Sequence, residues 1–368
     1  MSLQVNVPED HGAVDVVGSG PDWVEVTPRD YPGDTYPNLW YYFSVKNGLH
    51  PLPQARVILS GLFAGEDRLY VPFFNASLWS RDGKRWQRVP PRQQVVSDDR
   101  VEFRLDLGGG EEVWLAETFP IPWADCEAAM ARVREVYEPG CRIESWRVGD
   151  SEQGRPIMAA RLGSGQGRPV MLWLAGQHAV EESGKLCCLT ILDWLLANRR
   201  RDEVRDILSR WEVVICPMVN PDGCVAGRMN TNAQGVVMNS PDDRSAEMRA
   251  QIGLVDEVRP KVLVDCHGWG NTIGTPPFDG WYRWEGDDPL YDHVVATVPG
   301  AATSTEHLMG DLFRLEPYAR QRYGTHSGIL EINWNYRVRP DGAVARPTLE
   351  DLKARSLEYF RAVAGFEP

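Results

Sequence analysis

The sequence predicts a mixed, mostly parallel α/β sheet flanked by helices, preceded by an antiparallel β-sandwich. Three observations carry this expectation. Residues 1–120 alternate short runs of β-type residues with Gly, Pro and Asp turns, at a spacing of about ten residues. From Trp123 onward, apolar runs short enough for strands alternate with amphipathic helical segments, the pattern of a sheet covered by helices. The chain has 368 residues, more than most single cores hold, so the change of pattern at Pro120-Ile121-Pro122 divides it into domains at 1–120 and 121–368.

In the first domain the β-type runs are Trp23–Thr27, Leu39–Val45, Ala55–Leu59, Arg68–Val71, Ala76–Ser80, Trp86–Val89, Val101–Leu105 and Val113–Glu117. Their aromatic residues suit sheet-face packing. In the second domain Trp123–Tyr137 predicts a helix, 141–148 and 156–163 a hairpin, and Pro169–Leu174 a buried strand. A helix over 182–198, a helical piece near 202–210, strands at 212–217, 261–266 and 328–333, and a terminal helix Thr348–Ala364 follow. The irregular span 268–325 is expected to hold loops over the site, since loops on a rigid sheet shape specificity.

Composition narrows the function classes. With 43% hydrophobic and 25% charged residues the chain reads as a globular protein. Its formal charge of -13 disfavours nucleic acid, whose binding rests on neutralising phosphates, and more weakly a polyglutamate substrate. No run approaches the roughly 20 apolar residues of a membrane span. The first residues lack the basic-then-apolar build of a signal peptide, so the expected location is cytoplasmic and no membrane partner is foreseen. Seven cysteines without a CxxC pair argue for reduced, buried thiols over a disulfide frame.

The chemistry gathers where strands end. Leu174-Ala175-Gly176-Gln177-His178-Ala179-Val180-Glu181 closes one apolar strand just before a helix, and ligands of open α/β sheets bind outside the carboxyl ends of the strands. A lone His-x-x-Glu also fits a solvated helix start, with Glu at the positive end of the dipole. The balance shifts at Asp265-Cys266-His267-Gly268, which ends a second apolar strand. Two histidines and a carboxylate on two strand ends form an open three-ligand Zn²⁺ set, one ion per chain, with a fourth position left for water. Glu331, in the middle of the apolar run Ser327–Trp334, is costly there unless it has a partner or a task. Beside a zinc-activated water that task is general base.

In this order His178-Ala-Val-Glu181, Asn220-Pro221-Asp222-Gly223, Asp265-Cys-His267-Gly268 and Glu331 resemble the zinc metallocarboxypeptidase family. The lead-in Val148–Ile157 is similar to that family's opening hairpin. The short interval from Glu181 to His267 and the strand-rich leading domain resemble its cytosolic branch, best known for trimming glutamates from protein tails. The resemblance, which covers roughly residues 140–335 in motif terms, implies a carboxypeptidase-like fold, Zn²⁺ on His178, Glu181 and His267, Glu331 as base, and a peptide or protein C-terminus as substrate.

Two positions depart from that family. Its Asp-x-Asn-Arg, where the Asp orients the first zinc histidine and the Arg grips the substrate carboxylate, is Val237-Met238-Asn239-Ser240 here. A family Arg that polarises the scissile carbonyl falls near Asn230, with Arg228 close by. Asp242, Asp243 or Asp265 is therefore expected to replace the missing acid, and Arg244 or Arg228 the missing cation. Ser240 offers instead a hydrogen bond to an uncharged substrate. The candidate set is thus Glu331 and Arg228 for catalysis and Asn239, Ser240, Arg244 and Tyr323 for substrate. Three readings stay open: a peptidase acting on C-terminal residues, a zinc amide hydrolase or deacylase acting on a small molecule, and a metal-dead or weakly active chain that binds through its leading domain.

Overall fold

A computed structural model describes residues 3–35, 40–62, 77–97, 100–165, 167–269, 279–282, 287–302, 313–334, 337–338, 344–345 and 346–367; the expected strand at 68–71 lies outside them. Among the described residues, ten strands precede the α-helix that opens at Trp123: β1 (Gln4–Asn6), β2 (Val14–Ser19), β3 (Trp23–Pro28), β4 (Tyr42–Lys46), β5 (Leu52–Ser60), β6 (Leu78–Ser80), β7 (Gln87–Arg88), β8 (Gln94–Val96), β9 (Arg100–Leu107) and β10 (Glu112–Ala116). They form two five-stranded sheets, ordered β1-β4-β10-β6-β7 and β2-β3-β5-β9-β8. Strand alternation turns Phe43, Val45, Val113 and Leu115 of one sheet and Val24, Val26, Val57, Leu59 and Phe103 of the other into a shared core. The sandwich is antiparallel as expected, apart from one pair: β3 and β5 run parallel. The long connection holding β4 makes that crossover possible.

The second region opens with α1 (Trp123–Glu135), which begins at Pro122 as expected. Then come β11 (Arg142–Asp150), β12 (Pro156–Gly163), β13 (Val170–Ala175), α2 (Glu182–Asn198), α3 (Asp202–Arg210), β14 (Glu212–Cys216), α4 (Pro221–Ala226), α5 (Ala246–Val258) and β15 (Val262–Trp269). The chain continues through β16 (Asp279–Tyr282), α6 (Pro289–Thr297), β17 (Ala301–Ala302), α7 (Leu315–Tyr323), β18 (His326–Asn333) and, last, α8 (Leu349–Ala364). Its eight-stranded sheet has the order β11-β12-β14-β13-β15-β18-β16-β17. The four central strands β14, β13, β15 and β18 are parallel, while β11, β12 and β16 join antiparallel.

All six residues of β13 are buried because each face is covered. Met171, Trp173 and Ala175 pack with α2 and α8, and Leu172 and Leu174 with α5 and α7. An unbroken apolar run is what such a strand requires. The span 268–325 differs from the expected loops: among the described residues it contains β16, β17, α6 and α7.

The two regions meet over a buried ion cluster. His11, between β1 and β2, is fully buried, places Nε2 2.7 Å from Glu182 Oε1 and Nδ1 2.8 Å from the Cys224 carbonyl, and packs its ring at a tilt against Trp40. Lys185 Nζ donates to Glu182 Oε1 at 2.6 Å and to the Ala179 carbonyl at 2.6 Å. Burial opposes the charge on His11, but Cys224 and Glu182 outweigh it and raise its pKa to about 10. Replacing His11 with Asn, which tolerates the left-handed backbone there (φ 78°), is expected to cost roughly 3 kcal/mol, since a buried carboxylate loses a partner. The wild-type advantage is complete below the unfolded pKa of about 6.5 and is lost as pH rises through about 10. Denaturant unfolding of both proteins across that window should show the difference shrink; a constant difference would assign it to packing alone.

Candidate metal centre

His178 and Glu181 lie on the turn between β13 and α2, and His267 lies near the end of β15, the neighbouring parallel strand. Two features of the backbone bring them together. Glu181 is the residue before α2, so its carboxylate sits at the positive end of that helix. The first turn of α2 then lies almost on β15: a Cβ at Gly184 would stand 2.3 Å from the Cys266 carbonyl, so only glycine permits the approach.

The result is a convergence of three side chains. His178 Nδ1 is 2.7 Å from Glu181 Oε1, and His267 Nδ1 is 2.7 Å from Glu181 Oε2. The ring centroids of the two histidines are 4.9 Å apart. One ligand atom from each of His178, Glu181 and His267 lies within 4.8 Å of the others. Burial opposes the charge on Glu181, but the two imidazoles hold its carboxyl well below the usual carboxylate range. The set fits Zn²⁺, which takes imidazole nitrogen and carboxylate oxygen in open three-ligand sites. The His178 side chain keeps 24% of its surface exposed and Glu181 keeps 17%, which leaves one side open.

Glu331 stands beside this cluster. In the β15–β18 register it pairs with His267, so both side chains leave the sheet on the same face. Its Oε2 is buried without a hydrogen-bond partner among the described residues. Burial, and then the charge of Glu181, push its carboxyl up to about 8, against the pull of His267. A cation at the cluster acts opposite to Glu181 and favours the carboxylate.

The motif Asn220-Pro221-Asp222-Gly223 explains how the next wall is held. Asn220 caps α4 by accepting from Gly223 N, and its Nδ2 donates to the carbonyls of Gln177 and Thr231. It thereby ties the residue before His178 to the segment around 231. A Cβ on Gly223 would meet Asn220 Nδ2 at 2.4 Å and the Thr231 carbonyl at 2.6 Å, which excludes any other residue. Buried Asp222 accepts from Ser151 Oγ, Gln153 N and Arg155 Nη1.

The remaining candidates divide. Asn239 is buried, with φ 57°. Its Oδ1 accepts from Leu315 N at 2.9 Å and Arg314 N at 3.2 Å, and its Nδ2 faces Asp265 and Glu316. Ser240 Oγ donates back to the Val237 carbonyl. Arg244 is exposed and donates to the Pro241 and Asp243 carbonyls, so the structure does not bring it to the cluster. Arg228 stacks on Tyr31, 4.5 Å from the ring centroid, and donates to Thr231 Oγ1. Tyr323 ends α7 just before the start of β18, away from Glu331 towards that strand's other end, and its hydroxyl donates to Asp256. Of the three acids expected to stand in for the residue at 237, Asp242 is exposed and Asp243 accepts from Asn239 N and Ser245 N. Asp265 reaches a histidine, but it is His267 Nε2, at 3.2 Å, and not His178.

Sequence reasoning passed over three residues. Tyr282 on β16 pairs with Ile329, two residues before Glu331, and the carboxylates of Glu331 and Glu181, after burial, raise its hydroxyl pKa. Arg314 precedes α7, donates Nη1 to the Pro241 carbonyl at 3.2 Å, and buries an Nε without a partner among the described residues. Glu316 is buried in the first turn of α7. Of the sequence candidates, Asn239 reaches this region, its Oδ1 accepting from Arg314 N and Leu315 N.

Comparison with known proteins agrees with this geometry. Residues 127–269 match the zinc carboxypeptidase family, Peptidase_M14; the match includes His178, Glu181 and His267 and ends before Glu331. Carboxypeptidase M of mouse is 24% identical over 203 residues, 46% of this chain and 45% of that protein, so the chain spans under half of the curated relative. A metallo-carboxypeptidase from Burkholderia cenocepacia has a similar fold, with TM-score 0.79, 20% identity and coverage of 99% of this chain and 98% of the other. So does a metallo-carboxypeptidase from Pseudomonas aeruginosa solved with (2-guanidinoethylmercapto)succinic acid, with TM-score 0.76, 18% identity and 98% coverage of each chain. Both likenesses extend over the leading sheets as well as the mixed sheet. The match to the zinc carboxypeptidase family is thus confined to residues 127–269, which hold the three converging side chains, and the likeness of the solved structures over the rest of the chain is one of fold.

Proposed function

We propose that this protein is a zinc-dependent hydrolase that cleaves the C-terminal peptide bond of a peptide or protein. The observation that carries the reading is the convergence of His178, Glu181 and His267 on one open point, with Glu331 in register beside them. Zn²⁺ held by those three residues would supply Lewis acidity toward a water and toward the amide carbonyl. Glu331 takes the proton of the attacking water and hands it to the departing amine, acting as base and then as acid. Its buried Oε2, without a hydrogen-bond partner among the described residues, supports that role. Arg228, held against Tyr31 and Thr231 Oγ1 on the segment that Asn220 ties to the residue before His178, is the candidate donor for the developing oxyanion.

Arg314 supports a substrate that ends in a carboxylate. It brings a guanidinium to the turn at Asn239–Pro241 from another element, where Ser240 and Arg244 are both turned back on their own loop. A charged hydrogen bond to a carboxylate is worth about 1.5–3 kcal/mol. The second reading, a small uncharged amide, draws on Ser240 and on the absence of an acid at Val237. Among the described residues no helix is long and apolar enough to cross a membrane.

Three measurements test this. Elemental analysis should find about one zinc per chain in wild type and markedly less in His178→Ala; a zinc-free wild type after incubation with the metal would retire the reading. Glu331→Gln should keep its zinc and lose about 10²–10⁴-fold in kcat. With free-acid peptides, Arg314→Ala should raise KM about tenfold or more, at 1.4 kcal/mol per decade, while C-terminally amidated peptides are unaffected. If wild type cleaves the amidated series as well as the free acids, the small-amide reading takes over.

A further inference from the structure

Behind the cluster lies a polar network that the proposed chemistry does not use. Asp265, Asn239, Glu316, Gln177 and Gln251 are all buried. Asp265 Oδ2 collects three neighbours: His267 Nε2 at 3.2 Å, Asn239 Nδ2 at 3.3 Å and Gln177 Nε2 at 3.4 Å. Gln177 precedes His178, so this one oxygen is linked to the segments carrying both histidines. The Asn239 amide nitrogen also faces both Glu316 oxygens, at 3.1 and 3.3 Å. Gln177 and Gln251 close the far side by exchanging amide hydrogen bonds at 2.6 and 3.2 Å.

We infer that Glu316 is a positioning residue of the metal site, which fixes the Asn239 amide so that Asp265 stays aimed at His267. The steps are geometric. An imidazole whose far nitrogen is held by a carboxylate presents its near nitrogen in one tautomer and one orientation. Asp265 Oδ2 stands 3.2 Å from His267 Nε2 as an ion pair, not aligned as a hydrogen bond, and its Oδ1 has no partner among the described residues, so the aim of this carboxylate rests on what else holds Oδ2. Asn239 supplies the hold with one amide hydrogen, and Glu316 takes the other. Burial and the charge of Asp265 raise the Glu316 carboxyl well above the usual range. That shift favours its neutral form, which lessens its repulsion of Asp265.

The inference rests on the zinc reading of the cluster and is tested by metal affinity. Zinc dissociation constants, measured on the full chain by chelator competition, should be about tenfold or more weaker in Glu316→Ala than in wild type, the scale of outer-ligand losses. Glu316→Gln keeps an acceptor for Asn239 and should stay within about threefold. The d–d absorption of the Co²⁺-loaded protein should change in Glu316→Ala and not in Glu316→Gln. Should Glu316→Ala fail to fold, Asn239→Gly decides: glycine suits the left-handed backbone at 239 and removes the amide, so affinity should fall by the same factor. Affinity within about twofold of wild type in the folded Ala or Gly variant overturns the inference, as does a Gln variant as weak as the Ala variant. A wild type that binds no zinc overturns the metal reading and this inference with it; a wild type that binds, with unchanged variants, overturns this inference alone.

Discussion

A buried carboxylate that is not itself a candidate ligand holds the candidate metal site in place. Glu182, one residue beyond Glu181, accepts from Lys185 Nζ at 2.6 Å and from Ile121 N at 2.5 Å, and lies 2.7 Å from His11 Nε2. An unpaired charge at that depth would cost several kcal/mol, so the three partners are required together. They come from the leading strands, from the connection into the mixed sheet and from α2. Folding of the first region is thereby coupled to the turn that presents His178 and Glu181, because Lys185 also grips the Ala179 carbonyl between them. The leading sheets are part of the metal site's scaffold even though they offer it no ligand.

A second docking point reinforces this coupling. Asp34, in the loop after β3, accepts from Met229 N, Asn230 N and Thr231 Oγ1, and Thr35 exchanges hydrogen bonds with the Asn230 side chain. Gly33 lies so close to Gly235 that a Cβ on it would stand 2.2 Å from the Gly235 carbonyl. The segment 228–237 is thus clamped between the leading region and Asn220, and its exposed chemistry is fixed by contacts made elsewhere.

How much of this was legible in the sequence follows from which signals are local. Strands β13, β15 and β18 are covered on both faces, so each is an apolar run whose end marks the site edge, and His178, Glu181, His267 and Glu331 stood out there. The helix α2 was readable to its bounds because its 17 residues give several turns of periodicity. Helices α6 and α7 have nine residues each, too few for a period to emerge. Their signs were only the Asp288-Pro289 start and the left-handed Gly324 stop. Glu316 was illegible for a different reason. A Glu in the first turn of a helix ordinarily serves the dipole in solvent, and what buries this one is Asn239, 77 residues away in sequence. Tyr323 misled in the converse way: nearness to Glu331 along the chain says nothing of which strand end a residue lies by, since α7 and β18 run back to back.

The same logic accounts for the departures at 237 and 240. Val237 forms a β-bridge with Thr231, so it closes the clamped 228–237 turn with backbone hydrogen bonds and a short apolar side chain. Among the described residues the acid it lacks is not replaced at His178; a carboxylate stands instead at the other histidine, Asp265 Oδ2 lying 3.2 Å from His267 Nε2, and Asn239 links it to Glu316. Arg314 stands in the same relation to Ser240: the cation beside the turn comes from the α7 start, whose backbone amides are capped by Asn239. Asn239 is therefore the hinge of both changes. Its left-handed backbone turns the chain, its carbonyl oxygen positions α7 with Arg314, and its amide joins Asp265 to Glu316. On the proposed reading, Asp265 of β15 is steadied by Glu316 of α7 and the cation Arg314 stands just before α7, so the geometry of both depends on that one amide.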